Sequence, residues 1–343
     1  MTITLSILDQ SPIGEVEKAE IALQNTVKLA KVAEELGYHR FWVSEHHNNT
    51  QLAGSAPEAL IGYLLAKTKK LRIGSGGVML QHYSPYKVAE VFHVLASLEP
   101  NRVDLGVGKA PGGLNLSTQA LQEDKKPLQK DFVQKLSDLQ KFINNEEKVQ
   151  DLKATPITTN NPDLFLLGGS VESAEIAARL GISYVFAYFI NGDESVLNEA
   201  RERFEKFSPK NAKNKFLLAL TIVVAETDSK ATSYIKHKET VKVIFSDGRK
   251  VNVNSLEHAQ KVLDESEETE YQLIVQKAGY LAGSMGTVKK QLIQLIQKYN
   301  IDEVIALSPI VEIESRIHSY KLLKRAFETE KYVRSTLNEG MIS

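Results

Sequence analysis

The strongest chemical signal in the sequence is the run Glu45-His46-His47, because imidazole titrates near neutrality and can pass a proton in either direction. The same three residues could ligate a metal. On a strand, however, neighbouring side chains point to opposite faces, so at most one of the two histidines enters a shared site. No further histidine stands at ligand spacing, and a metal site is not expected. One histidine of the pair is therefore read either as a proton-transfer group or as a buried, satisfied residue that orients its loop. A second signal is Gly168-Gly169-Ser170, followed by Ser173 and a helical run. Glycines let the backbone approach an anion, and a helix N-terminus offers it free N–H donors. The same residues also fit a capped helix after a tight turn. Lys109 could supply the countercharge or be a solvated surface group. Gly74-Ser75-Gly76-Gly77 interrupts an apolar run, where glycines permit a bulge or the close approach of another group, such as a flat ligand. Gly106-Val-Gly108-Lys109-Ala-Pro-Gly112 matches neither G-x-G-x-x-G nor G-x-x-x-x-G-K-[ST], and is not a dinucleotide fingerprint.

These residues must be brought together by the elements that carry them. Short β-rich runs alternate with helical patterns, an order that implies parallel strands joined by crossover helices. The expected strands are Ile3–Leu8, Arg40–Ser44, Leu71–Leu80, Arg102–Val107, Asp163–Leu167, Ser183–Phe189, Phe216–Ala225 and Glu303–Leu307. Helix signals lie between them. Leu23, Val27, Ala30 and Ala33 recur at helical spacing before Gly37, and Ser55-Ala-Pro-Glu58 has the form of a capping box. Ile317, Tyr320, Leu323 and Phe327 give the last helix an apolar stripe. An open doubly wound sheet would also alternate, but eight βα units in series favour closure, since a barrel leaves no edge strand to protect. The fold class expected is α/β, a single parallel (β/α)8 TIM barrel spanning 1–343. The polar and glycine residues named above then share the rim at the carboxyl ends of the strands, where such barrels place catalytic groups.

One segment is too long for a connection: 226–283, after strand seven. It is expected to carry its own partial helices, Leu256–Leu263 among them, and to form a lid. Its charged runs Lys236-His-Lys-Glu239 and Asp264-Glu-Ser-Glu-Glu268 suggest loose packing.

Composition narrows the function. Lys and Arg total 42 against 43 for Asp and Glu, so no excess positive charge exists to hold a nucleic acid or an anionic membrane. The absence of cysteine removes disulfides, thiolate metal sites and thiol nucleophiles. The N-terminus lacks a basic region followed by a long apolar one, and no run of about 18 apolar residues occurs, so a cytoplasmic location is expected.

Several segments, taken in order, resemble the bacterial-luciferase-like monooxygenases. They are Ser6-Ile-Leu-Asp-Gln-Ser-Pro12, Phe41-Trp-Val-Ser-Glu-His-His47, Leu71-Arg-Ile-Gly-Ser-Gly-Gly-Val-Met-Leu80, Arg102-Val-Asp-Leu-Gly-Val-Gly108, Leu167-Gly-Gly-Ser170 with Ser173-Ala-Glu-Ile-Ala-Ala-Arg-Leu-Gly181, and Asp302-Glu-Val-Ile305. The resemblance implies a flavin-dependent (β/α)8 barrel that uses reduced FMN, delivered by a separate NAD(P)H-dependent reductase, to activate O2 and oxidise a small organic substrate, often as a homodimer. It assigns His46 as the active-site histidine, Gly76-Gly77 as the segment holding a cis non-prolyl bond beside the flavin, and Tyr188 as the aromatic near the ring. Lys109, Ser170 and Ser173, with Gly168 and Gly169, fall where relatives bind the flavin phosphate. Three departures stand out. Gly108 replaces a cysteine of the luciferases, so light production is not expected. Gln81-His82-Tyr83 stands where many relatives carry a proline-containing turn. Lys109 offers a point charge where arginine offers a planar fork. The resemblance also admits two alternatives: hydride transfer with the deazaflavin F420, and a non-catalytic flavin-binding protein.

Overall fold

The computed structural model describes residues 3–122, 131–146, 152–236, 239–246, 250–253, 255–266 and 269–328. Among them, eight parallel strands close a barrel: β1 (Leu5–Asp9), β2 (Arg40–Val43), β3 (Arg72–Met79), β4 (Val103–Gly108), β5 (Asp163–Gly168), β6 (Ser183–Ala187), β7 (Phe216–Val224) and, last in the chain, the strand Glu303–Leu307. Each pairs with its sequence neighbour, and the last pairs with both β7 and β1, which closes the ring. Helices α1 (Ala19–Glu35), α2 (Pro57–Lys67), α3 (Pro85–Leu98), α4 (Asn115–Gln122), α5 (Phe132–Ile143), α6 (Val171–Arg179) and α7 (Glu194–Phe207) connect them. The capping box expected at Ser55 does not form. Helix α2 opens instead on Pro57 behind Ala56, with no side-chain cap, because proline presets the first helical φ and brings no N–H to be satisfied.

The outer faces of the strands pack on the helices in one large apolar core that includes Ile7, Phe41, Val43, Ile73, Leu105, Leu166, Tyr184, Leu218 and Val304. The inner faces carry a smaller one of Leu8, Trp42, Phe165, Val185, Leu217, Ala219, Ile305 and Leu307. Glycine makes room for the indole of Trp42: a Cβ at Gly74 would stand 2.9 Å from its Nε1 and 2.5 Å from the Asp104 carbonyl oxygen. Below this layer, at the amino ends of the strands, lies a buried ionic floor. Arg40 donates from Nε and Nη2 to Glu303 at 2.7 and 3.1 Å and from Nη1 to Asp104 at 2.8 Å. Trp42 Nε1 donates to the same Asp104 carboxylate at 2.9 Å, and Arg72 bridges Asp104 and Asp163.

The segment after β7 holds α8 (Asp228–Ser233), β8 (Glu239–Phe245), β9 (Lys250–Val253), α9 (Leu256–Asp264), β10 (Tyr271–Lys277) and β11 (Tyr280–Gly283), before α10 (Met285–Tyr299) returns to the closing strand, β12, and α11 (Ile313–Phe327). Strands β10, β8 and β9 form an antiparallel sheet, and β11 pairs in parallel with the upper end of β7. The expected helix is α9. Packing is tighter than the charged runs suggested: Val241, Val243, Phe245, Ala259, Val262 and Leu263 are buried together. Residues 237–238 and 267–268 of those runs lie outside the described residues.

Candidate active site

Side-chain parity along β2 decides what enters the barrel mouth. Arg40 and Trp42 face inward, so Ser44 and His46, which continue the strand, face inward as well, while Glu45 and His47 turn away. The backbone supports the continuation, since the Ser44 N–H still donates to the Asp9 carbonyl of β1. At the mouth Gln10 Nε2 meets His46 Nε2 at 3.2 Å. With the amide donating, Nε2 is the bare nitrogen and the ring proton resides on Nδ1. Burial, and then the neighbouring His47, push His46 down to about 4, so the ring is neutral at ordinary pH.

Behind the mouth, Glu45 is fully buried and accepts from the Met79 N–H at 3.0 Å and the Tyr83 hydroxyl at 2.7 Å, with His47 Nε2 at 2.7 Å. Burial and the bond to this carboxylate push the Tyr83 phenol upward. The Gln81-His82-Tyr83 turn is fixed to the same wall. Lys135 Nζ donates to the Gln81 carbonyl at 2.6 Å, and His82 bonds the Pro111 carbonyl at 2.7 Å. Together with the His47 N–H donating to Gly112, this holds the loop that begins at Lys109. Composition gave no sign of this wall, in which Glu45 draws donors from 34 and 38 positions away.

On the adjacent strand, β3 presents Gly76-Gly77, joined by a cis peptide bond, with the pairing to β4 shifting between Gly76 and Val78. A Cβ at Gly76 would approach Leu8 Cδ1 to 2.7 Å, and one at Gly77 the Gly106 carbonyl oxygen to 2.7 Å. Only glycine leaves this stretch of wall flat.

The anion cradle is built at the next two strand ends. Gly108 pairs with Leu167, so Lys109 and Gly168 leave β4 and β5 side by side, and Lys109 is exposed there. Ser170 caps α6: its Oγ accepts from the Ser173 N–H at 3.2 Å and donates to Ser173 Oγ at 3.0 Å. That leaves the Ser173 hydroxyl proton for an acceptor from outside. The turn is fixed from behind by Tyr184 donating to the Ser170 carbonyl and by Asn191 donating to the Gly169 carbonyl. A Cβ at Gly168 would lie 2.9 Å from that of Ser173, so glycine is what lets the two serines close on each other.

Tyr188 is not brought into this group. β6 stops at Ala187, and Tyr188 packs outward into the core between sheet and helices, against Gly279. Burial, then nearby Glu194, raise its phenol to about 12. The aromatic that reaches the inner-face core is Phe189. The insertion is anchored on both sides of the cradle. Leu114 from the loop after β4 packs into its apolar core, while Thr240 Oγ1 and Gln276 Nε2 both donate to the Ile190 carbonyl after β6.

The family model described as luciferase-like monooxygenase matches residues 1–298. The chain belongs to the luciferase-like monooxygenases. It is 51% identical over 328 residues to the N-acetyl-S-alkylcysteine monooxygenase of Bacillus subtilis (strain 168), covering 94% of this chain and 98% of that protein, and it is itself a monooxygenase. The crystal structure of apo-MsnO8 superposes with a TM-score of 0.77 at 32% identity over 95% of this chain and 98% of that one. A more distant member of the fold, at 15% identity and a TM-score of 0.69 over 95% and 98%, is the oxygenating constituent of 3,6-diketocamphane monooxygenase from the CAM plasmid of Pseudomonas putida, solved in complex with FMN. The mouth described above suits such a group: a flat glycine wall and inward polar side chains for a ring, and a serine-capped helix with an adjacent lysine for a phosphate.

Proposed function

We propose that this protein is an FMNH2- and O2-dependent monooxygenase that oxidises the thioether of an S-alkylated, N-acylated cysteine or a close relative of it. In this reading a separate NAD(P)H-dependent reductase supplies the flavin, and the chain works as a cytoplasmic homodimer. The observation that carries it is the convergence at one barrel mouth of a neutral His46, the Gly76-Gly77 wall and the Gly168–Ser173 cradle, in a chain that shares half its residues with a monooxygenase of that substrate class.

Reduced flavin supplies two electrons to O2, of which one atom enters the substrate and the other leaves as water. The chain's own residues do the rest. Lys109, Ser170 and Ser173 would hold the phosphate, fixing the cofactor at the end remote from His46. His46, neutral and bonded to Gln10, can take up and return a proton at Nε2, and Glu45, with its three donors, keeps the residue beside it in place. The insertion, anchored on both sides of the cradle, is proposed as the lid that excludes water during turnover. The deazaflavin alternative is not favoured, because it is a monooxygenase to which the chain is half identical.

The test combines the protein, FMN, a flavin reductase, NADH and an N-acetyl-S-alkylcysteine under air. Substrate-dependent O2 consumption with an oxygenated product is expected. Tight flavin binding without substrate-dependent consumption would instead support the flavin-binding protein.

A further inference from the structure

Buried polar atoms are nearly always hydrogen-bonded, so an exception asks for an explanation. Among the described residues, the buried side-chain atoms without a partner on Asn145, Arg201, Glu265 and Arg316 all lie on helices or at their ends. Ser44 Oγ is different. Its residue is 4% exposed, and it continues β2 on the inner face, two positions above Trp42 and two below His46. The β2 register with its neighbours, Asp9 with Val43 and Val43 with Ser75, places Ser44 between Gln10 and Gly76. This hydroxyl therefore sits on the wall of the mouth, between the residue that holds His46 and the glycine pair. Its neighbour Gly76 has no side chain to offer, and Gln10 is engaged with His46.

We infer that Ser44 is a flavin-positioning residue whose hydroxyl hydrogen-bonds the polar edge of the isoalloxazine ring. The inference rests on the flavin reading above and adds a contact at the ring end, distinct from those at the phosphate end. A hydroxyl suits that edge in both redox states. It can donate to the bare ring nitrogen or carbonyl of oxidised flavin and accept from the N–H of reduced flavin. An alanine would remove the partner without crowding the glycine wall, since it is smaller than serine.

The experiment compares binding of FMN and of riboflavin, which keeps the ring and lacks the phosphate, to the wild-type protein, Ser44→Ala, Ser44→Thr and Lys109→Ala. A neutral hydrogen bond contributes about 0.5 to 1.5 kcal/mol, so Ser44→Ala is expected to weaken both ligands equally, by roughly 2- to 12-fold, and to shift the visible absorption band of the bound flavin. Ser44→Thr should restore both. Lys109→Ala should weaken FMN alone. If Ser44→Ala leaves both affinities and the spectrum unchanged, the hydroxyl does not meet the ring. A wild-type protein that binds neither flavin would instead sink the flavin reading itself, which the Ser44 variants alone would not do.

Discussion

The two ends of the barrel interior are lined by the same strands and treat polar groups in opposite ways. At the amino ends, Arg40, Asp104 and Glu303 are almost fully buried, and each charge has a partner. The Arg40 guanidinium also lies 4.9 Å over the Phe165 ring. At the carboxyl ends, Gln10 and His46 meet at a loose 3.2 Å, Ser44 Oγ has no partner, and the two serines of the cradle satisfy mainly each other. The closed floor commits its groups to the fold. The open mouth keeps its groups uncommitted, which costs stability and is what a ligand can use.

The largest expected effect lies in the floor. Arg40→Met leaves the buried Glu303 carboxylate without its countercharge and Asp104 with Arg72 alone, and removing one partner of a buried ionic group costs about 3 to 5 kcal/mol. Urea unfolding should show it as a lowered midpoint, whatever flavin is present. Replacing the set with apolar residues, Arg40→Met with Asp104→Leu and Glu303→Leu, is expected to recover most of that loss, because desolvation offsets much of the attraction within a buried ionic group. A single Arg40 variant as stable as the wild type would erase the contrast between the two ends.

The next effect belongs to the mouth and should leave the floor untouched. His46→Ala is expected to slow substrate oxidation by about 10²- to 10⁴-fold with more O2 diverted to hydrogen peroxide, while flavin affinity changes little. Its pH behaviour follows from the depressed imidazole. Folding holds His46 near 4 against an ordinary 6.5, so the unfolded chain binds more protons between these values. The stability tied to this neutral ring is complete above 6.5 and is lost as pH falls towards 4. Unfolding measured across that window should therefore fall less steeply with acid in His46→Gln than in the wild type. Parallel curves would mean that His46 takes up its proton near the ordinary 6.5 in the folded protein as in the unfolded one.

How much of this was legible in the sequence depends on how local the signal is. The eight strands were readable because each is a short local run between helical patterns, and the Ser170 cap because its glycines, serines and helix follow one another directly. Ser44 was not, since a serine in an apolar strand says nothing about whether its hydroxyl finds a partner. Glu45 was read only as a metal candidate, because its donors Met79 and Tyr83 come from the far end of another strand and its turn. Tyr188 and Phe189 are adjacent aromatics, and which one faces inward is set by strand alternation, with Tyr184, Phe186 and Tyr188 on the outer face and Val185 and Phe189 on the inner one. In the insertion, charged runs at the edges concealed the alternation of Val241, Val243 and Phe245 that builds its core.

The smallest of the three effects is at Lys109, and it sharpens the comparison within the mouth. A charge-assisted hydrogen bond contributes on the order of 1.5 to 3 kcal/mol where it is shielded from water. Lys109 is exposed, so solvent and salt screen it and the lower end of that range applies. Lys109→Ala should thus weaken FMN about 10-fold at low ionic strength and less as salt is added, with riboflavin unaffected throughout. Lys109→Arg is the informative partner to it, because a planar guanidinium offers two parallel donors to a phosphate where ammonium offers a point charge. It should bind FMN at least as tightly as the wild type. Titration of both variants with both ligands at two salt concentrations checks this. Equal losses for FMN and riboflavin, independent of salt, would place Lys109 away from the phosphate and leave the serines of the cradle as the residues that hold it.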